Sequence, residues 1–238
     1  MKSYRGVLLD ADNTLFDYDR AEAEALEETL SDAAPEAPRA EAMAAYHLIN
    51  AGYWKLYEQG KIDSAGLQSG RWADLFRQMG LRGDPAAAAD IYIGRLSQKA
   101  HVLDGAVDTV RELARRARLA LVTNGLSRVQ RGRLAHSGIA GSFAAILISE
   151  EMGLSKPDAR FFQAASEALE IPPAGLLCVG DNPAADVAGA QGAGIDACWY
   201  APAGDPWPGP GEPPKHVIRN LVDLLRIVPA PARSAGDR

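Results

Sequence analysis

The chain is poor in cysteine, with only Cys178 and Cys198 in 238 residues. That count excludes a disulfide-built scaffold, and the short apolar runs around both positions predict buried thiols. Histidine is scarce too. His47, His101, His136 and His216 show no tight spacing for a metal and are expected on the surface or in packing. No apolar run approaches the roughly 20 residues needed to cross a bilayer. The opening MKSYRGVLLDAD reaches acidic residues too soon for a secretory leader. No membrane association is therefore expected, and a cytoplasmic soluble protein is the default. Basic excess is also absent: the formal net charge is −6, which disfavours binding a nucleic-acid polymer by counterion release. The arginines concentrated between Arg111 and Arg133 are expected on the solvated faces of two helices.

What the chain does have is a 47% hydrophobic composition, enough for one large domain or for a core carrying an inserted smaller one. Short runs with strand character recur at Gly6 to Asp10, Leu119 to Asn124, Ala144 to Ser149, Leu176 to Asp181 and Ile195 to Tyr200. Helical stretches such as Ala106 to Ala117 and Asp158 to Glu170 separate the later ones. Asn182-Pro183 reads as a further helix opening, with Asn as the cap. Near-continuous apolar strands alternating with helices predict an α/β fold with a parallel sheet covered on both faces. One region breaks the alternation. Arg20 to Ser31, Glu41 to Glu58, Ser64 to Met79 and Pro85 to Ala100 all read as helices, so residues 16–96 are expected to form a helical insert. The core would then comprise residues 1–15 and 97–228. Within it, Ala201 to Pro214 holds six prolines and predicts a loop, and His216 to Val228 a last strand and helix. Residues 229–238 are expected to be a disordered tail.

The segment LLDADNTL places Asp10 and Asp12 two residues apart where an apolar run stops. A turn would account for both. Yet two anions held 4 Å apart repel by about 4 kcal/mol at an effective dielectric of 20, which invites a cation. In a parallel sheet, ligands bind beyond the carboxyl ends of the strands. Those ends carry Asp10 and Asp12, then Thr123 and Asn124, then Gly180, Asp181 and Asp186, with Lys156-Pro157 after the third strand. Oxygen donors of this kind suit Mg²⁺, with Asp10 and Asp181 as the natural ligands. Lys156 could bind phosphate and hold the nucleophilic carboxylate.

Phosphate-monoester hydrolysis demands accelerations of up to about 10²¹-fold. Positioning lowers a barrier by roughly 7–11 kcal/mol, so a covalent route through an aspartate helps. Asp10 would attack phosphorus, and Asp12 would serve as acid and then base. Thr123 and backbone amides would hold the phosphoryl oxygens.

DADNT, TN, KP and GDNPAAD, in this order and at these strand ends, resemble the four motifs of the haloacid-dehalogenase superfamily. The resemblance implies a Rossmann-like core, a helical cap inserted after the first motif, and Mg²⁺. It implies Asp10 as nucleophile and Asp12 as acid/base with its backbone carbonyl on the metal, together with Asp181 as a ligand. Thr123, Asn124 and Lys156 would bind phosphate. Asp186, with Asn182 beside it, would lie behind these groups, Asp186 orienting Lys156 or a metal-bound water. Ala185 departs from the motif, where many members carry Asn. Asp12 favours phosphoryl transfer over dehalogenation, since a halide leaves without a proton.

The insert stretch NAGYWKLYEQG…SGRW is similar to the bacterial 5′-nucleotidase branch acting on pyrimidine and non-standard nucleoside monophosphates. Trp54, Tyr57 and Arg71 then become candidate nucleoside contacts, although packing of the insert would account for the aromatics equally well. Two other readings stay open. One is a phosphatase for another small phosphomonoester, such as phosphoglycolate or a sugar phosphate, or a phosphomutase. The other is a non-catalytic binding protein on the same fold.

Overall fold

A computed structural model describes residues 2–209 and 213–230. The chain divides into two compact units. One is built from the residues up to Asp17, Val102–Gly125 and the chain from Ser137 onward; the other from Tyr18–His101 and Leu126–His136.

The first unit is organised by a six-stranded sheet: β1 Gly6–Leu9, β2 Arg118–Thr123, β3 Ala145–Ile148, β4 Leu176–Gly180, β5 Asp196–Tyr200 and β6 His216–Ile218. Every pairing is parallel, in the order β3-β2-β1-β4-β5-β6. This is the doubly wound arrangement in which the order reverses at β1, the usual position of a ligand crevice. Burial on both faces explains the uninterrupted apolar strands, and all four residues of β1 are buried. Each leucine or valine so buried contributes about 1.5–3 kcal/mol. One core cluster combines Leu8, Val122, Phe161, Phe162, Leu176 and Trp199. Phe161 and Phe162 come from the helix Ala159–Leu169, whose start is capped by the Asp158 carboxylate accepting from Arg160 N at 2.9 Å.

The second unit is helical: α1 Tyr18–Ala33, α2 Arg39–Glu58, α3 Ser64–Met79 and α4 Pro85–Gln98, joined by Ser127–His136. Asp63 caps α3 on Gly66 N at 2.8 Å, and Gly80 closes it in the left-handed conformation. Tyr46, Trp72, Tyr92, Leu26 and Leu75 are fully buried in a core of its own. The helix Ser127–His136 lies beyond the expected insert, yet it belongs to this unit. A Cβ at Gly132 would stand 2.5 Å from the Ser97 carbonyl oxygen, so glycine permits the close approach to α4. Arg133, expected on a solvated face, is instead fully buried, with its guanidinium carbon 5.6 Å from the Tyr18 ring centroid.

Both cysteines are buried free thiols, as expected. Among the described residues, no helix is long and apolar enough to cross a membrane. The proline-rich stretch carries neither strand nor helix where it is described. Of the expected tail, residues 231–238 lie outside the described residues.

Candidate active site

The first unit brings the ends of β1, β2 and β4 together. Asp10 follows β1 and is 5% exposed. Lys156, 146 residues later, is 3% exposed, and its ammonium donates three hydrogen bonds. The acceptors are Asp10 Oδ1 at 2.6 Å, Asp186 Oδ1 at 2.5 Å and the Val122 carbonyl at 3.0 Å. Asp186 is spent within the protein, since its other oxygen accepts from Asn182 N at 3.1 Å. Its close approach depends on Gly180, where a Cβ would fall 2.2 Å from the Asp186 carboxyl carbon. Asn182 also caps the π-helical turn Pro183–Ala188, accepting from Ala184 N and Ala185 N at 3.0 and 2.9 Å.

Asn124 does not leave its side chain open. Its amide nitrogen donates to the Lys156 carbonyl and its oxygen accepts from Lys156 N, both at 2.9 Å. This two-point clasp fixes the lysine's backbone. The following residue, Gly125, is tied by N–H donation to Ser149 Oγ at 3.0 Å. Thr123 ends β2 with a fully buried hydroxyl that has no hydrogen-bond partner among the described residues. Such an atom at a strand end is a donor awaiting an acceptor.

Asp181 is held by Thr14. Its N–H donates to Thr14 Oγ1 at 3.1 Å, and that hydroxyl faces Asp181 Oδ1 at 3.4 Å. Thr14 and Ser149 hold Asp181 and Gly125 through hydrogen bonds that spacing alone did not reveal, although Thr14 lies inside the DADNT segment. In that segment Asn13 adopts φ +57°, a left-handed conformation that Asn tolerates, and the chain curls back with Phe16 N donating to the Ala11 carbonyl.

Carboxyl oxygens of Asp10, Asp181 and Asp186 lie within 4.8 Å of one another. Burial pushes the Asp10 carboxyl well above the usual range; Lys156 opposes this, while Asp186, Asp181 and Asp12 add to it. Asp181 is pushed up to about 6, first by burial and then by Asp186. Burial pulls Lys156 down, but Asp10 and Asp186 outweigh it and hold the ammonium above its ordinary value. One ammonium among three carboxylates, of which Asp10 and Asp186 are buried and Asp181 half-buried, leaves an anionic excess when all three are ionised. An all-oxygen donor set with that excess fits a hard divalent cation.

In the helical unit, Arg71 is 2% exposed and donates from Nη1 to Asn50 Oδ1 at 2.6 Å, while Asn50 donates to Glu22 Oε1 at 3.2 Å. Its guanidinium also packs over the rings of Tyr46 and Tyr92. Burial raises the Glu22 carboxyl against the opposing charges of His47 and Arg71. Arg71 is therefore engaged inside this unit. Trp54 and Tyr57 are half-buried, and their rings meet edge to face at 5.8 Å.

A buried aspartate at the end of the central strand, locked to a lysine and backed by two more aspartates, belongs to the hydrolases built on this doubly wound sheet. The chain matches the family model described as haloacid dehalogenase-like hydrolase over residues 4–194, and it belongs to that family. It is 35% identical to the HAD-hydrolase YfnB of Bacillus subtilis over 231 residues, covering 96% of this chain and 97% of that protein. It is also similar to two pyrimidine 5′-nucleotidases. PynA of Streptococcus pneumoniae is 35% identical over 206 residues, 84% of each chain. YjjG of Escherichia coli is 30% identical over 194 residues, 81% of this chain and 84% of the other. The crystal structure of magnesium-bound YfnB superposes with a TM-score of 0.82 at 34% identity, covering 96% of this chain and all of that one.

Proposed function

We propose that this hydrolase is a Mg²⁺-dependent phosphomonoesterase acting through an aspartyl-phosphate on Asp10, with pyrimidine or non-standard nucleoside monophosphates as substrates. The observation that carries the reading is the fully buried Thr123 hydroxyl, without a hydrogen-bond partner among the described residues, on the strand next to β1 and its cluster of three carboxylates, two of them bonded to the Lys156 ammonium. An oxyanion-bearing substrate and a cation together supply what both features lack.

Asp10 and Asp181 would hold the cation, with Asp186 already committed to Lys156 and Asn182. When bound, the cation neutralises carboxylate and phosphoryl charge. The Asp10 oxygen attacks phosphorus, the bond to the leaving oxygen breaks, and Asp12 gives that oxygen a proton. Asp12 then takes a proton from water as it attacks phosphorus, the Asp10–phosphorus bond breaks, and phosphate leaves. Lys156 favours the ionised form of the nucleophile and orients it. Thr123 donates to a phosphoryl oxygen, a contact that strengthens as charge builds there.

The two nucleotidases support the nucleotide part of the reading, since each is at least 30% identical across most of the chain. The test is a panel of phosphorylated metabolites with Mg²⁺: dUMP, dTMP, phosphoglycolate, sugar phosphates and para-nitrophenyl phosphate. Highest kcat/KM on the pyrimidine nucleotides is expected. A preference for phosphoglycolate or a sugar phosphate would move the assignment to another small phosphomonoester. No turnover of any ester would overturn it.

A further inference from the structure

Trp199 has no place in the chemistry above, and neither has the proline-rich stretch that follows it. Trp199 lies on β5, level with Gly180 of β4 in the parallel ladder. It is 6% exposed, and its indole Nε1 donates to the main-chain carbonyl of Asp181 at 2.8 Å. The Asp181 backbone is thus held at both of its polar groups: Thr14 accepts its N–H, and Trp199 donates to its C=O. Thr14 and Trp199 come from opposite ends of the sequence, so no local turn preference produces this arrangement. It is tertiary structure committed to one residue.

The proline-rich stretch completes it. Trp207 packs edge-on against Trp199, with ring centroids 5.0 Å apart and planes at 77°. The stretch leaves β5 under control: Ala201 N donates to the Ile218 carbonyl at 2.8 Å, and Gly204 N to the Ala201 carbonyl at 3.0 Å. Gly204 takes φ +73°, and a Cβ there would meet the Arg219 guanidinium carbon at 2.6 Å. A hydrogen bond to a carbonyl is stronger where water is kept away. An indole laid against the Trp199 ring keeps it away.

We propose that Trp199 is a positioning residue for the cation ligand Asp181, and that the proline-rich stretch shields it through Trp207. The inference rests on the reading of Asp10 and Asp181 as cation ligands. Groups behind a ligand typically change metal affinity 10- to 100-fold when lost. One neutral hydrogen bond, acting through the backbone, belongs at the low end of that range.

The test uses the full chain, freed of metal, titrated with MgCl₂ in a calorimeter and followed by tryptophan emission. Trp199→Phe keeps a ring in the core and removes only the indole N–H. It is expected to weaken Mg²⁺ binding about tenfold and to lose the emission change that Mg²⁺ produces. Trp207→Phe keeps the bond to Asp181; it should bind within about twofold of wild type and retain the emission change. A purely structural tryptophan would lower the melting temperature and leave Mg²⁺ affinity alone, and that result overturns the proposal. Wild-type protein that takes up no Mg²⁺ would sink the cation reading with it, whereas equal affinity in wild type and Trp199→Phe sinks only the role of Trp199. Should Trp199→Phe fail to fold, wild-type emission decides: a change on adding Mg²⁺ that persists in Trp207→Phe supports the role, and emission indifferent to saturating Mg²⁺ refutes it.

Discussion

Thr123→Val separates stability from activity in a way few substitutions can. The hydroxyl is fully buried and partnerless among the described residues. In protein mutational data, burying a hydroxyl without a hydrogen bond costs roughly 1–3 kcal/mol. Valine has nearly the same shape and no polar atom, so the substrate-free variant should gain about 1 kcal/mol. For a chain of this size that is a rise of about 2–4 °C in Tm. Turnover should move the other way. If the hydroxyl donates to a phosphoryl oxygen as charge develops, its removal costs about 10²- to 10³-fold in kcat. Thermal unfolding of the metal-free, substrate-free protein, paired with kcat/KM on dUMP and para-nitrophenyl phosphate, reads both effects. A lower Tm would mean that the hydroxyl already has a structural partner, and unchanged turnover would mean that it never meets substrate. Either result refutes the reasoning.

Asp10→Asn should abolish turnover while the protein stays folded, because an amide cannot serve as the nucleophile; intact-mass and peptide mapping of a trapped wild-type intermediate should place the added phosphoryl on Asp10. EDTA should remove activity and Mg²⁺ restore it. Ca²⁺ should substitute poorly, because its flexible coordination by six to eight oxygens lets a carboxylate bind through both of them, and full activity in Ca²⁺ would contradict the proposed arrangement. Arg71→Ala should lower the Tm and depress turnover of all substrates together, because breaking a buried polar network of this kind costs about 3–5 kcal/mol. Trp54→Ala should instead weaken dUMP and dTMP turnover about 10- to 200-fold, as about 1–3 kcal/mol of lost binding would, and leave para-nitrophenyl phosphate within about threefold. Parallel loss on all three esters would make Trp54 a packing residue.

The sheet was legible because a strand buried on both faces must be apolar at every position, so Gly6–Leu9 and Leu176–Gly180 stand out as runs without an amphipathic pattern. Strand ends then located Asp10, Thr123 and Asp181, and the parallel topology implied that Lys156 meets Asp10 across 146 residues. The helix Ser127–His136 was harder, since its buried face includes Gln130 and Arg133 alongside Val129 and Leu134. Polar residues packed inside erase the apolar period on which a helix assignment depends. The surroundings of Arg71 were equally illegible: the sequence offered it as a candidate nucleoside contact, and only the structure shows Asn50 and the rings of Tyr46 and Tyr92 around it. Ser149 and Trp199 were invisible for another reason. Each acts through hydrogen bonds to a single residue distant in sequence, and no spacing rule encodes such bonds.

The lysine at the centre of the site has a fixed inventory of hydrogens. An ammonium carries three, and Asp10, Asp186 and the Val122 carbonyl take one each. An arriving phosphoryl oxygen can therefore gain a bond from Lys156 only by exchange, with one of the three acceptors giving up its place. Val122 belongs to the strand ladder, and Asp186 is clamped by Asn182 N. Asp10 is the acceptor best able to yield, and the proposed nucleophilic role would require it to. If Asp10 attacks phosphorus as proposed, the carboxylate would lose its negative charge and become a poorer acceptor, while the transferred group would carry charge into the same neighbourhood. The hydrogen that held the nucleophile in place before the reaction would become available to the phosphoryl group during it. On the proposed route Lys156 would serve the resting enzyme and the acylphosphate in turn, its backbone held by the two hydrogen bonds to Asn124.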